Sequence, residues 1–228
     1  MKDAAKKNNH SIDPDWATAE AEIFRELALR YKEIGAKEGI RIIPFLSPEM
    51  PLFQKATPEE RSKAIGYLTT IVDIHEETLA AGDQTLNTRK LIWRALSKLS
   101  LIPGPDIFNH FSDDDVVLIY QENQSALFWN IQFFKYTSLT VEQLFFCTWH
   151  EFTKRPAEIH QKLYEMAVNV LSGKITKNFI PGVPGHEVQE IDTLESIRTW
   201  MEIPFGSVLT KNGVLGGILI VQKMRVLD

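Results

Sequence analysis

The sequence lacks the features that mark several large classes of protein. It has one cysteine, Cys147, in 228 residues, so neither an intrachain disulfide nor a paired-cysteine metal or redox site can form. No stretch approaches the roughly 18 consecutive apolar residues of a membrane span. The first residues carry lysines but no apolar run, unlike a secretory signal. We therefore expect a cytoplasmic protein with no membrane partner.

An excess of basic residues is also missing. Lysine and arginine total 25 against 30 aspartate and glutamate residues, for a net charge of −5. Nucleic-acid-binding surfaces need lysines and arginines clustered on one face. The short pairs Lys6-Lys7 and Lys154-Arg155 are instead typical of a solvated surface. We expect no nucleic-acid partner.

The common catalytic motifs are missing as well. The sequence has no serine nucleophile elbow, no zinc-binding HExxH and no phosphate-binding P-loop. The expectation is therefore that this protein is not an enzyme. The alternative is a small-molecule enzyme on a cup-shaped α+β fold, which would need an acid–base pair in its cavity. Glu202 and His150 are the candidates for that pair.

What the sequence does contain is typical of a globular chain, with 44% hydrophobic and 24% charged residues. Asp13-Pro14 predicts a helix start, and Gly35 its end. Thr57, Pro58 and Glu60 form a capping-box pattern that starts a second helix, and a third is predicted over residues 86–100. Pro103-Gly104-Pro105 then stops helix propagation. We predict a helical region, 1–105, and a second domain, 106–228.

Apolar residues in the first two helices recur every three or four positions, as on one helix face. The stripes contain Trp16, Ala19, Ile23, Leu27, Tyr31 and Ile34, then Ile65, Leu68, Val72, His75 and Leu79. We predict that the two helices drive formation of a homodimer, and the alternative is that they pack on each other within one chain. His75 on the second stripe is interpreted as a core or interface histidine.

The pattern changes after residue 105 to short β-rich runs. The predicted order is two strands, three helices and three strands, the last three near 176–182, 198–209 and 214–224. Lys211-Asn212-Gly213 predicts a hairpin turn, because Asn-Gly readily adopts the positive φ angles required. The fold class predicted is α+β.

This order resembles the PAS sensor family over residues 110–225, and several local segments agree. Residues 130–133 (NIQF), Lys135-Tyr136 and 140–144 (TVEQL) are similar to the family's segment after its second strand. Residues 149–152 with Pro156, then 171–174, resemble the stretches at either end of its long helix, and 200–221 resembles its closing hairpin. Lys135 replaces the usual glycine, and the Pro/Gly-rich segment 180–197 is long for a strand connection.

The resemblance implies a five-stranded antiparallel sheet with crossing helices, preceded here by the helical region. It also implies signal transduction through small-molecule sensing or protein–protein interaction. The output would pass to an unidentified partner protein or to the N-terminal helices. Flavin is disfavoured because the segment around Cys147 lacks the expected polar residues, and His160 is only a weak candidate for a haem ligand. No cofactor or metal is required by the sequence.

Under this resemblance, residues from separate stretches surround one inner surface. They are Phe128, Asn130, Phe133, Tyr136, Phe146, Trp149, Leu163 and Trp200. An aromatic cup of this kind suits a small apolar or aromatic ligand, oriented by a polar group such as Asn130 or Tyr136. The same aromatics could instead fill a core, so both interpretations are retained.

Overall fold

The computed structural model describes residues 14–83, 87–121, 126–174 and 179–228. Helices come first and an antiparallel sheet follows, as the α+β prediction required. Within these ranges, no helix combines the length and the apolar character needed to cross a membrane.

The N-terminal part is built from four helices. They are α1 (Pro14–Lys37), α2 (Pro51–Lys55), α3 (Pro58–Ala80) and α4 (Thr88–Leu99). The predicted capping box is present at α3, where the Thr57 hydroxyl accepts from the Glu60 amide and the Glu60 carboxylate accepts from the Thr57 amide. The predicted cap residue Asp13 lies outside the described ranges.

Two details of α1 differ from the prediction. The helix does not end at Gly35 but continues to Lys37, and the chain turns at Gly39, which has a φ of 70°. Ile23 is 48% exposed, whereas Phe24 is fully buried. Leu27, Tyr31 and Ile34 of the predicted stripe are buried as expected, so the difference is confined to the N-terminal half of the stripe. Apolar residues occupy both positions 23 and 24 there, and packing selects between them.

The C-terminal part contains six strands and two helices. They are β1 (Val116–Tyr120), β2 (Ala126–Trp129), α5 (Val141–Phe146), β3 (Thr153–Lys154), α6 (Ala157–Leu171), β4 (Phe179–Glu190), β5 (Arg198–Lys211) and β6 (Val214–Val226). Short 3-10 helices lie at Ile107–Asn109 and Ile131–Lys135. The sheet order is β2-β1-β6-β5-β4-β3, and every neighbouring pair is antiparallel.

Two parts of the predicted sheet need correction. The sheet has six strands and not five, because the two-residue strand β3 adds to the edge of β4. Residues 180–190, predicted to belong to a long connection, are part of strand β4. A register irregularity between Val183 and His186 accommodates the Pro/Gly-rich sequence within that strand.

The predicted hairpin between the last two strands is confirmed. Lys211 pairs with Val214, and the two residues between them have positive φ, 54° at Asn212 and 79° at Gly213. Two consecutive positive φ angles are those of a turn whose twist matches the strands that it joins.

Hydrophobic packing links the helices to the sheet. One continuous buried cluster contains Phe24 and Tyr31 of α1, Leu68 of α3, and also Phe128 and Trp129 of β2. A second, smaller cluster forms where α6 packs on the sheet through Leu163 and Val170. The packing of the first cluster therefore continues across the predicted boundary at residue 105.

Candidate functional site: two adjoining cavities

A cavity of about 70 Å³ lies between α6 and one face of the sheet, which we term the inner face. On β5 the inner face is formed by Thr199, Met201 and Ile203, all buried, while Trp200 and Glu202 point to the other face. The apolar wall of this first cavity is formed by Leu163, Met166, Ala167, Val170 and Leu171 of α6, with Ile203, Ile218 and Ile220 of the sheet.

A second cavity of about 40 Å³ adjoins the first, beneath α5 and the segment that precedes it. Its lining includes Phe133, Tyr136, Leu144, Cys147, Phe152 and Met201. Tyr120, Trp149, Arg155 and Gln222 line both cavities, and we call these four residues the partition.

Arg155 is the charged member of the partition. Its guanidinium lies 4.9 Å from the centroid of the Trp149 ring, and its Nη2 donates to Thr153 Oγ1 at 3.0 Å. Its buried Nε has no hydrogen-bond partner among the residues that the structure describes. Burial lowers the pKa of Arg155 to about 10, partly offset by Tyr120, so the guanidinium is still charged at neutral pH.

The neighbouring polar groups are half-buried, as Tyr120 is, or buried, as Gln222 and His186 are. Burial raises the pKa of Tyr120 to about 12, against the opposing effect of the Arg155 charge, so its hydroxyl stays protonated and can donate a hydrogen bond. Gln222 is 6% exposed, and its Oε1 has no described partner. The Nε2 of His186, a buried residue of β4, is likewise unpartnered within the described ranges. Burial, followed by the Arg155 charge, lowers the pKa of His186 despite its bond to the Pro184 carbonyl.

Four of the predicted site residues lie at the cavities. Phe133 and Tyr136 line the second cavity, Leu163 lines the first, and Trp149 lines both. They come from the segment after β2, from the segment after α5 and from α6, which the fold brings together over the inner face.

The other four lie elsewhere. Leu118 and Tyr120 of β1 line the second cavity, so Ile119 between them points to the opposite face. Phe128 pairs with Ile119 and is therefore buried on that opposite face as well. Phe146 packs against Phe24 and Phe53 at ring-centroid distances of 5.8 and 5.7 Å, beside a separate groove between α2, α3 and α5.

Asn130 and Trp200 line neither cavity and contact other parts of the fold. The Asn130 side chain bonds to Thr88, Asp115 and Val117 and does not face a ligand cavity. Trp200 is 38% exposed, and the Arg225 guanidinium lies 5.7 Å from its ring centroid. It belongs to the opposite face because its neighbours Thr199 and Met201 point inward.

The ionisable groups singled out in the sequence are not in the cavity linings, with one exception. His150 and Glu202 are exposed, and His160 packs against Trp149 at a ring distance of 5.1 Å outside both linings. Cys147 does line the second cavity, and burial raises the pKa of its thiol to about 11. Among the described residues, no group of three or more His, Cys, Asp or Glu side chains could hold a metal ion.

No sequence pattern pointed to the polar residues of the partition. Lys154-Arg155 was interpreted as a solvated pair, which holds for the exposed Lys154 but not for Arg155. Adjacent residues of an extended segment point to opposite sides. That alternation is the only local signal that could have distinguished an exposed Lys154 from an inward-pointing Arg155. It is informative only once β3 is known to pair with β4.

Comparisons with known proteins add no family assignment. No model of a known protein family matches this chain, and no curated protein sequence matches it either.

Proposed function

We propose that this chain is a signal-transduction protein in which a PAS-like C-terminal part senses a small molecule. The output passes through the N-terminal helices or a partner protein. Two features support the proposal, namely helices that cross one face of an antiparallel sheet and the paired cavities that they cover. The observation that carries it is that one wall of the second cavity is bonded directly to the N-terminal region.

That wall is formed by Leu139 and by Leu144 of α5, and backbone hydrogen bonds tie the first turn of α5 to the chain between α1 and α2. The Val141 amide donates to the Ile43 carbonyl at 2.9 Å, and the Glu142 amide donates to the Pro44 carbonyl at 3.1 Å. Ile43 and Thr140 form an isolated parallel bridge at the same place. A shift of α5 would therefore move the segment that leads into α2.

The Glu142 side chain adds a second connection. Its carboxylate is fully buried and accepts from the backbone amides of Leu52 at 2.8 Å and Phe53 at 3.1 Å, in the first turn of α2. A carboxylate at this position satisfies amides that lack partners within the helix and lies at the positive end of the helix dipole. Charge-assisted bonds of this kind hold α2 and α5 together as one unit.

Signalling then follows from a change in population. Leu144 and Cys147 of this segment line the second cavity, so a ligand that contacts them favours one position of α5 over another. The shift in equilibrium is limited by the difference in the ligand's affinity for the two positions. Because α5 is bonded to the chain before α2 and to α2 itself, the favoured position changes how the helices present their outer surfaces.

The test uses native mass spectrometry of the purified protein, followed by thermal unfolding with hexanoate, benzoate, hexanamide, benzamide and indole. A bound or added compound should raise the melting temperature and slow amide hydrogen exchange across Ile43–Phe53. Glu142→Gln weakens the connection and should reduce the exchange response without abolishing binding, whereas Glu33→Gln, at an exposed carboxylate of α1, should change neither.

Binding without any exchange response in the N-terminal region would contradict the proposed output route. A protein that carries no compound and responds to none of the five would instead favour a protein-interaction module with a filled core.

A further inference from the structure

Arg155 is a half-buried cation to which the described residues supply no anion. No ion pair joins it to a carboxylate anywhere in the described ranges, although nine such pairs occur there. Its contacts are one hydrogen bond to Thr153 and the Trp149 ring. A guanidinium has five N–H donors, and here the Nε donor is both buried and unpartnered.

These contacts do not compensate for burial of the charge. A cation–π contact is weak for a partly exposed arginine, whereas a buried N–H donor without a partner has lost the hydrogen bonds that it made with water. Buried arginines are normally paired with a carboxylate or phosphate, often through two parallel hydrogen bonds. An unpaired guanidinium in a cavity wall is therefore in place to receive an anion that enters from solution.

Among the described residues, one carboxylate belongs to the cavity linings, and it is already occupied. Glu190 lines the second cavity, but its carboxylate accepts hydrogen bonds from the Thr137 and Ser138 hydroxyls and from Thr193. Its role is to hold the segment before α5 against the end of β4. It does not neutralise Arg155.

We infer that the first cavity binds a small organic monocarboxylate, with the carboxylate on Arg155 and an apolar body between α6 and the sheet. The inference rests on the proposed sensing function and names the chemical class of its ligand. The single positive charge of Arg155 matches a ligand with one negative charge. The apolar wall matches an apolar ligand body, since Leu163, Met166 and Val170 of α6 lie opposite the sheet residues Ile218 and Ile220. Dianions and phosphates would leave a second charge without a partner.

The remaining partition residues suit the same ligand. The protonated Tyr120 hydroxyl can donate to the second carboxylate oxygen, and rotation of the Gln222 amide can present either its N–H or its carbonyl. The cavity of about 70 Å³ limits the body to a short aliphatic chain or a single ring, since one water needs roughly 10–15 Å³ on the same scale.

Calorimetric titration of the full chain tests this with two acids, hexanoate and benzoate, and their neutral amides, hexanamide and benzamide. The acids should bind and the amides should bind about 10- to 100-fold more weakly, as expected for loss of a charge-assisted bond. Arg155→Gln should weaken acid binding by the same factor. Arg225→Gln is the matched control, because Arg225 also lies over a tryptophan ring but on the opposite face.

A second variant tests where the apolar part of the ligand binds, independently of the charge on Arg155. Ala167→Phe fills the apolar end of the first cavity and leaves Arg155 unchanged, so acid binding should be lost. This variant also serves if Arg155→Gln does not fold, which circular dichroism would show.

The outcomes separate this inference from the proposed function. If acids and amides bind equally, or if Arg155→Gln binds the acids as the wild type does, the carboxylate assignment is wrong and ligand sensing stands. If none of the four compounds binds at up to about 1 mM, indole does not bind either, and no compound copurifies, both are overturned.

Discussion

The side-chain amide of Asn130 donates a hydrogen bond of 3.0 Å to the Thr88 hydroxyl, joining the end of β2 to the first turn of α4. The same amide donates to the Asp115 carbonyl at 2.8 Å, and its oxygen accepts from the Val117 amide at 3.0 Å. Asn130 is fully buried, so these bonds are shielded from water. One side chain thus connects the helical region to the edge of the sheet.

We predict that Asn130→Ala lowers the free energy of unfolding by at least about 2 kcal/mol. The substitution leaves the buried Val117 amide and Asp115 carbonyl without their side-chain partner, and each unsatisfied group costs about 1–3 kcal/mol. Urea denaturation followed by circular dichroism measures the change. Asn109→Ala, at an exposed asparagine, is the control and should change the free energy by less than about 0.5 kcal/mol. Equal effects of the two substitutions would refute this structural role.

Asn130 also shows which parts of the molecule could be predicted from the sequence. The capping box at Thr57 and the turn at Gly213 depend on a few neighbouring residues, and both were predicted correctly. The buried face of α1 was predicted correctly at Tyr31 but not at Ile23, where Phe24 is buried instead, because two apolar residues compete and only packing selects between them. The surroundings of Asn130 and Arg155 depend on contacts between distant segments. The sequence predicts that Asn130 orients a ligand and that Arg155 is a solvated surface charge. In the structure Asn130 joins α4 to the sheet, and Arg155 lines both cavities.

The hairpin turn gives a second prediction. Gly213 has a φ of 79°, and a Cβ added there would meet no atom within 4 Å, so only the backbone conformation opposes substitution. Gly213→Val should therefore destabilise the protein by about 1 kcal/mol or more, because a β-branched residue is strained in the left-handed region. Thermal unfolding measures the shift.

A second glycine supplies the control for that substitution. Gly66 lies in the interior of α3, is exposed and has open space around it. Gly66→Ala should raise stability by up to about 1 kcal/mol, since alanine favours the helix. Opposite shifts in the two variants would support the turn geometry, whereas an unchanged melting temperature for Gly213→Val would argue against it.

Self-association of the N-terminal region remains a prediction. The stripes that suggested it, including Leu68 and Val72, are already buried within one chain. A homodimer would therefore need other apolar side chains, and Trp93 of α4, at 62% exposed, is a candidate among the residues whose burial the structure describes. Light scattering should report a dimer for the wild type and a monomer for Trp93→Glu. Val214→Glu, at an exposed valine of the C-terminal hairpin, should remain dimeric, and a monomeric wild type would exclude this interface.

The last prediction concerns pH. His75 is fully buried in α3, with its ring 5.2 Å from that of Tyr31. Its Nδ1 lies 2.8 Å from the Ile71 carbonyl, which accepts the hydrogen bond, so the proton of the neutral ring is on Nδ1. Burial lowers the pKa of His75 to about 4, and the bond to Ile71 opposes this only in part. The folded protein therefore holds the ring neutral under conditions in which the unfolded chain would protonate it.

The stability of the protein should depend on pH because the folded and unfolded states bind different numbers of protons at His75. The unfolded chain takes up a proton on His75 near pH 6.5 and the folded protein only near pH 4. Above pH 6.5, His75 is neutral in both states and does not lower the free energy of unfolding. As pH falls from 6.5 towards 4, protonation of His75 in the unfolded chain lowers the free energy of unfolding by about 3 kcal/mol in all. Urea denaturation at a series of pH values should show a shallower loss for His75→Leu than for the wild type. His150→Gln, at an exposed histidine, should follow the wild type, and a His75→Leu protein that does so too would show that His75 does not control the acid response.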